Sequence, residues 1–176
     1  KKHGGDIRIA SAFGKGTTFT IVFPLAVSKK RTSDQRLSAQ EFKTDNSLLR
    51  FLMIDDEPNI LKMMELWFED SNVELYTAST AEKGLQAIRQ ERFDVILCDF
   101  GMDHMNGLEV GKAHRDFCRI AGVPKTPFML LTGLDSQMDG EVLRAAGVDR
   151  VLRKPIPADK LFHIIHEMAN ATVDSK

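Results

Sequence analysis

Two different rhythms of apolar and polar residues run along this chain, and they change over near Leu49. In the first stretch Ile7 and Ile9 alternate with polar neighbours, and Phe19, Ile21 and Phe23 do so again before Pro24. Alternation turns one face of a strand inward, and Gly14-Lys15-Gly16 supplies turn chemistry, so residues 6–25 predict a β-hairpin. A two-stranded hairpin is marginal in water, so this one reads as the edge of a larger sheet. Residues 28–46 hold only Leu37, Ala39 and Phe42 as apolar residues, too few for a core, and predict a linker, flexible or partly helical.

Beyond Leu49, short apolar runs alternate with helical spacing. Phe51–Ile54, Val73–Tyr76, Val95–Cys98, Pro127–Leu131 and Arg150–Leu152 read as strands. Between and after them come helical patterns. The first carries Ile60, Leu61, Met63, Met64, Trp67 and Phe68; the second spans Thr80–Gln90, with Ala81, Gly84, Leu85 and Ile88 inward. Gly107–Phe117 and Ser136–Ala146 follow, the latter closed by Gly147, and the last carries Leu161, Phe162, Ile164, Ile165 and Met168. Five strand–helix pairs in about 120 residues predict an α/β fold, a doubly wound parallel sheet covered on both faces. Runs without alternation suit central parallel strands.

Composition narrows the class. The chain has 176 residues, 43% hydrophobic and 28% charged, with a net charge of -1. At roughly 150 residues per domain this allows one complete domain and a remainder. Residues 1–49 carry 9 Lys or Arg against 4 Asp or Glu, whereas residues 50–176 carry 15 against 21. An acidic main body argues against non-specific nucleic-acid binding. No apolar run approaches the ~18 residues of a membrane span, and no signal peptide opens the chain. Cys98 and Cys118 lack CxxC spacing, so they read as free thiols in a reducing cytosol. The expected location is cytoplasmic. The chain begins with Lys1, which points to a piece of something longer.

In an open α/β sheet, ligands gather at the carboxyl ends of the strands. Here the first of these strands ends in Asp55-Asp56, the third in Asp99, the fourth in Thr132-Gly133 and the fifth in Lys154-Pro155. Carboxylates brought together repel unless a cation sits among them, and oxygen ligands suit Mg²⁺. A Lys and a Thr hydroxyl opposite the metal can hold the oxygens of a phosphoryl group. Asp99, ending the central strand, is the candidate nucleophile, and its attack would give an acyl phosphate. The plainer reading, that these aspartates merely cap helices, stays open at this point.

The order Asp55-Asp56-Glu57, then Asp99 before Met102 and Gly107, then Thr132-Gly133 and Lys154-Pro155, resembles the receiver domain of two-component signalling over residues 49–171. The resemblance implies a flavodoxin-like sheet of order 2-1-3-4-5 and transfer of a phosphoryl group from phosphohistidine to Asp99. It implies Mg²⁺ held by Asp56, Asp99 and the Gly101 carbonyl, with Asp55 acting through water. Thr132 and Lys154 would contact the phosphoryl oxygens, and Lys154-Pro155 would be cis.

Residues 1–27 are similar to the C-terminal end of a histidine-kinase ATP-binding domain. The match rests on His3-Gly4-Gly5-Asp6-Ile7, Gly14-Lys15-Gly16-Thr17-Thr18-Phe19 and Phe23-Pro24-Leu25. Most of the ATP site and the phosphodonor His are absent from this chain, so only receiver self-phosphorylation and autodephosphorylation are expected of it. The implied parent is a hybrid sensor histidine kinase, anchored to a membrane through other segments. The implied layout is a kinase remnant at 1–27, linker at 28–48, receiver at 49–171 and tail at 172–176. The expected partner is the phosphohistidine of a kinase or a histidine phosphotransfer protein, meeting the first receiver helix. Neither nucleic acid nor a membrane is an expected contact of this chain, and the sequence specifies no oligomeric state. Only about five residues follow the last helix, so no appended output domain is expected.

Two positions depart from the family pattern. Asp103 stands where receivers usually have Pro, and Val151 stands where an aromatic ring is common. The second suggests phosphoryl relay in place of a large rearrangement of the output face. Two other functions compete. An interaction-only module would keep the fold without phosphorylation, but the intact acidic and Lys positions argue against it. A Mg²⁺-dependent phosphohydrolase using Asp99 typically needs a second acid two residues on, where Gly101 stands. Asp99-Phe100-Gly101 spells a kinase triplet without its catalytic loop, and Gly14-Lys15-Gly16-Thr17 lacks the Ser or Thr directly after Lys that a P-loop needs. His163 and His166 read as cations near a helix C-terminus before they read as zinc ligands. Met63, Met64 and Met168 read as core.

Overall fold

The computed structural model describes residues 6–12, 16–22, 48–133 and 138–171. The chain divides into two units, Lys1–Asp45 and Asn46–Lys176. In the first unit, β1 (Asp6–Ala12) pairs antiparallel with β2 (Gly16–Val22), with Ile7 opposite Ile21 and Ile9 opposite Phe19. This is the expected hairpin, although its turn residues, the predicted linker as far as residue 47 and the tail 172–176 lie outside the described residues.

The second unit holds a five-stranded sheet with all neighbours parallel, in the order β4-β3-β5-β6-β7. Its strands are β3 (Leu49–Ile54), β4 (Val73–Ala78), β5 (Val95–Asp99), β6 (Phe128–Thr132) and β7 (Arg150–Arg153). Counted within this unit, the order is the predicted 2-1-3-4-5. The helices are α1 (Pro58–Phe68), α2 (Ala81–Gln90), α3 (Gly107–Ala121), α4 (Gly140–Ala145) and α5 (Ala158–Ala171).

The central strands are apolar on both faces because both faces are covered. Phe51, Met53, Leu97, Met129 and Leu131 pack with Leu61, Met64 and Phe68 of α1 and Leu161, Ile164 and Ile165 of α5. Leu52, Ile54, Ile96, Cys98, Phe128 and Leu130 pack on the other side with Ala81, Leu85 and Ile88 of α2 and Val110 of α3. The four predicted inward residues of α2 are its buried ones. The chain leaves β3 toward β4 and returns past it to β5, so the loops after β3 and β5 diverge. That divergence opens the crevice where such sheets bind ligands.

Local signals explain most boundaries. Thr80 accepts the Lys83 N–H to begin α2, and Asn106 and Glu109 cap α3 reciprocally. Gly122 takes the left-handed conformation that ends α3, with φ +65°. Gly107 is required by proximity: a Cβ there would strike the Asp99 carbonyl oxygen and the Leu130 side chain. The predicted helix 136–146 is shorter than expected. Asp139 accepts the Glu141 N–H as an N-cap, so α4 starts at Gly140, while Ser136 and Gln137 lie outside the described residues. Among the described residues, no helix is long and apolar enough to cross a membrane.

Two side chains differ from the sequence reading. Met63 is only partly buried, whereas Met64 is core and Met168 packs against that core. His166 is not a cation at a helix end: α5 continues to Ala171, and the ring packs 4.5 Å from Phe162. Burial first and neighbouring His163 second push its pKa down, which favours the neutral ring.

A third histidine sits deeper. His114 of α3 is 1% exposed and packs against Phe128 at 5.9 Å, and among the described residues neither ring nitrogen has a hydrogen-bond partner. Burial, then Lys125, lower its pKa to about 4, against an opposing pull from Asp149. The folded state therefore prefers the neutral ring, so its stability is intact above pH 6.5 and is lost as pH falls toward 4. The difference is worth up to about 3 kcal/mol. Urea unfolding from pH 7 to 4.5 should show this loss in the wild type and a shallower one in His114→Leu. Equal slopes would assign the loss elsewhere.

Candidate functional site

The strands of the crevice deliver their polar residues just past their buried apolar runs, directly after Ile54, Cys98 and Leu131 on the first three and after Leu152-Arg153 on β7. Asp55 follows β3, Asp99 closes β5, Thr132 closes β6, and Lys154 follows β7. Backbone bonds fix these steps: the Asp55 N–H reaches Ala78 O, the Phe100 N–H reaches Leu131 O, and the Lys154 N–H reaches Thr132 O at 2.8 Å. The peptide bond Lys154-Pro155 is cis, as the family resemblance implies.

The side chains converge. Asp55, Asp56 and Asp99 each place a carboxylate oxygen within 4.8 Å of the others. Lys154 Nζ bridges two of them, at 2.7 Å from Asp99 Oδ1 and 3.2 Å from Asp55 Oδ2. The Glu57 N–H donates to Asp55 Oδ1 at 2.9 Å, and the Gly101 N–H donates to Asp99 Oδ2 at 2.9 Å. Asp55, Asp99 and Thr132 are buried, Asp56 is exposed, and Lys154 is one-third exposed. The aspartates are not helix caps: Glu57 caps α1 and Asn106 caps α3.

Electrostatics follow from that geometry. Burial raises the Asp55 pKa, and Asp99 pushes the same way, outweighing the Glu57 N–H and Lys154. For Lys154, burial acts against the ammonium, but the hydrogen bond to Asp99 and the attraction of Asp55 and Asp99 win, and its pKa is raised. Among the described residues, three carboxylates thus face one ammonium, which leaves the pocket short of positive charge. Oxygen ligands, two of them buried, around such a deficit fit a hard divalent cation.

Sequence reasoning missed two features of the site. The N–H of Asp103 donates to Asp56 Oδ2 at 3.0 Å, tying the loop after β5 to the exposed carboxylate. Beside Lys154 lies an apolar groove of about 550 Å³ between α1 and the β7–α5 loop, lined by Ile60, Met63, Trp67, Leu131, Pro155 and Ile156. A signal for the groove was present in the sequence: α1 carries more apolar residues than one buried face uses.

A parallel 2-1-3-4-5 sheet with an acidic, lysine-closed pocket at its switch point is the architecture of the CheY-like α/β class. Within that class, the chain belongs to the response regulator receiver domain family, whose sequence model matches residues 51–166. The virulence sensor protein BvgS of Bordetella bronchiseptica is 29% identical over 171 residues, covering 94% of this chain and 14% of BvgS. The chain spans a quarter or less of the first curated relatives it matches. A CheY-like receiver domain protein from Methanospirillum hungatei superposes with TM-score 0.64 at 28% identity, over 74% of this chain and all of that one. The receiver domain of the sensor histidine kinase PA1611 from Pseudomonas aeruginosa, with magnesium in its active-site cleft, shares the fold. Its TM-score is 0.59 at 19% identity, over 69% of this chain and 98% of that one. The chain therefore carries a receiver domain of two-component phosphorelay signalling.

Added Mg²⁺ should stabilise the chain, because a ligand bound only by the folded state adds about 1.4 kcal/mol at ten times its Kd. Asp56→Asn should remove most of that gain while raising stability in metal-free buffer, since it relieves carboxylate repulsion. Thermal unfolding with and without Mg²⁺ checks both. An undiminished Mg²⁺ effect in Asp56→Asn would exclude Asp56 as a ligand.

Proposed function

We propose that Asp99 is the phosphoacceptor and that this pocket moves a phosphoryl group from a phosphohistidine onto it. The observation that carries the reading is Lys154 Nζ, 2.7 Å from Asp99 Oδ1 and bridging to Asp55. A carboxylate oxygen of Asp99 attacks phosphorus, the P–N bond to the donor imidazole breaks, and the imidazole leaves with its electron pair. The product is an acyl phosphate on Asp99. Phosphoryl transfer asks the protein mainly for position and charge balance. Lys154 supplies a cation beside the nucleophile, and the Thr132 hydroxyl lies at the end of β6 to hold a phosphoryl oxygen. Mg²⁺, held by Asp56, Asp99 and the Gly101 carbonyl with Asp55 acting through water, would neutralise the charge of the transferring group.

The same reading extends to the partner. A donor histidine must reach Asp99 through the open side of the pocket, where the apolar groove along α1 adjoins Lys154. A histidine kinase or histidine phosphotransfer protein presenting its phosphohistidine from a helical surface suits that groove. Residues 1–27 are read as the end of a histidine-kinase ATP-binding domain, 28–48 as linker, 49–171 as receiver and 172–176 as tail. The likeness to the virulence sensor protein BvgS runs over 94% of this chain, beyond the receiver alone, which supports an assignment to a longer sensor protein; a hybrid sensor kinase with its receiver in the cytoplasm is the parent this reading implies. Val151 puts no aromatic ring on β7, which favours relay over a ring-driven output switch.

With Mg²⁺ and acetyl phosphate, intact-mass spectrometry should show the chain gaining one phosphoryl group, and Asp99→Asn should gain none. No gain by the wild type would leave the interaction-only module as the reading. Steady release of phosphate from a phosphomonoester would instead favour the phosphohydrolase.

A further inference from the structure

Of the three clustered aspartates, Asp56 is the weakly held one. Asp55 is fixed by the Glu57 N–H and by Lys154, and Asp99 by the Gly101 N–H and by Lys154. Asp56 is exposed, and among the described residues its carboxylate has one hydrogen-bond partner, the main-chain N–H of Asp103 at 3.0 Å. An exposed carboxylate with no such tether samples several rotamers and loses that freedom on binding a cation.

The loop that brings this N–H into place is itself fixed. Met102 is buried in the core, the Met105 N–H reaches Asp103 O at 2.8 Å, and the Gly107 N–H reaches Phe100 O at 3.1 Å. Directly after Asp103, His104 adopts φ +65°, a left-handed conformation uncommon for a non-glycine residue, which turns the chain sharply at this point. The path from Met102 to Met105 therefore aims the Asp103 amide at Asp56, while the Asp103 side chain remains exposed.

The geometry points to Asp103 as a positioning residue for the metal site, acting through its backbone N–H, which pre-orients the Asp56 carboxylate for Mg²⁺. This rests on the reading of the pocket as a Mg²⁺ site. It gives the departure at position 103 a physical consequence, because proline has no N–H and cannot make this bond. The carboxylate of Asp103 is incidental to the role.

The test separates amide from side chain. Isothermal titration with Mg²⁺ should give Asp103→Pro a Kd roughly tenfold weaker than wild type, as loss of a hydrogen bond behind a metal ligand does. Asp103→Asn and Asp103→Ala keep the N–H and should stay within about threefold of wild type. Equal weakening in Asp103→Ala and Asp103→Pro would overturn the proposal in favour of the side-chain charge, and unchanged affinity in Asp103→Pro would overturn it outright. Should Asp103→Pro misfold, the wild type still decides: NMR should show a through-hydrogen-bond coupling from the Asp103 amide to the Asp56 carboxylate carbon, and its absence overturns the role. Wild-type protein that binds no Mg²⁺ defeats the metal-site reading itself, whereas bound Mg²⁺ with an insensitive Asp103→Pro defeats only the positioning role.

Discussion

Everything at this site depends on one unbalanced interaction, in which the ammonium of Lys154 lies between Asp99 and Asp55 while a third carboxylate, Asp56, stands beside them. Like charges within 4.8 Å of one another repel by at least ~3 kcal/mol at an effective dielectric of 20, so one lysine cannot settle three carboxylates. The fold holds them together regardless. Asp55 is carried by β3 and Asp99 by β5, adjacent strands buried on both faces, and Lys154 follows β7 across β6. The apolar core thus offsets an electrostatic cost at the carboxyl ends of the strands, and the cost is what makes the pocket receptive to a cation.

The division of labour between sheet and loops follows from that constraint. The strands set where the charges are, because a shift of register would move Asp99 away from Lys154. The loops set how the charges are oriented: Glu57, Gly101 and Asp103 each aim a main-chain N–H at one aspartate. Backbone donors suit this task, since they neither titrate nor change rotamer. The groove along α1, proposed above as the donor's docking surface, leaves the charge balance unaltered, because its lining side chains other than Lys154 are apolar.

Much of this was legible in the sequence. The βα alternation, the sheet order implied by the family resemblance, and the inward residues Ala81, Gly84, Leu85 and Ile88 of α2 follow from hydrophobic spacing and motif order. Asp55, Asp56, Asp99, Thr132 and Lys154 were legible because strand ends converge whatever the loops do. The rest depends on features that leave no mark on residue identity. The Asp103 N–H is a donor that any residue but proline supplies, so only the loop's path reveals its target. The surplus of apolar residues on α1 hints at a groove, but Met63 and Trp67 share the helical spacing of core residues, and only packing shows that these two line it. His114 lies on the buried stripe of α3 as a polar residue, and His166 was misread because its packing against Phe162 leaves no mark on the sequence.

The central claim is that Asp99 receives phosphoryl groups from a phosphohistidine, and reductive trapping during transfer tests it most directly. A phosphohistidine donor protein would be mixed with the chain and Mg²⁺, then quenched with borohydride, which reduces an aspartyl phosphate to homoserine. Peptide mass spectrometry should then find homoserine at position 99 and at no other aspartate. Homoserine at Asp55, Asp56 or Asp103, or none while the donor loses its phosphoryl group to water, would contradict the account.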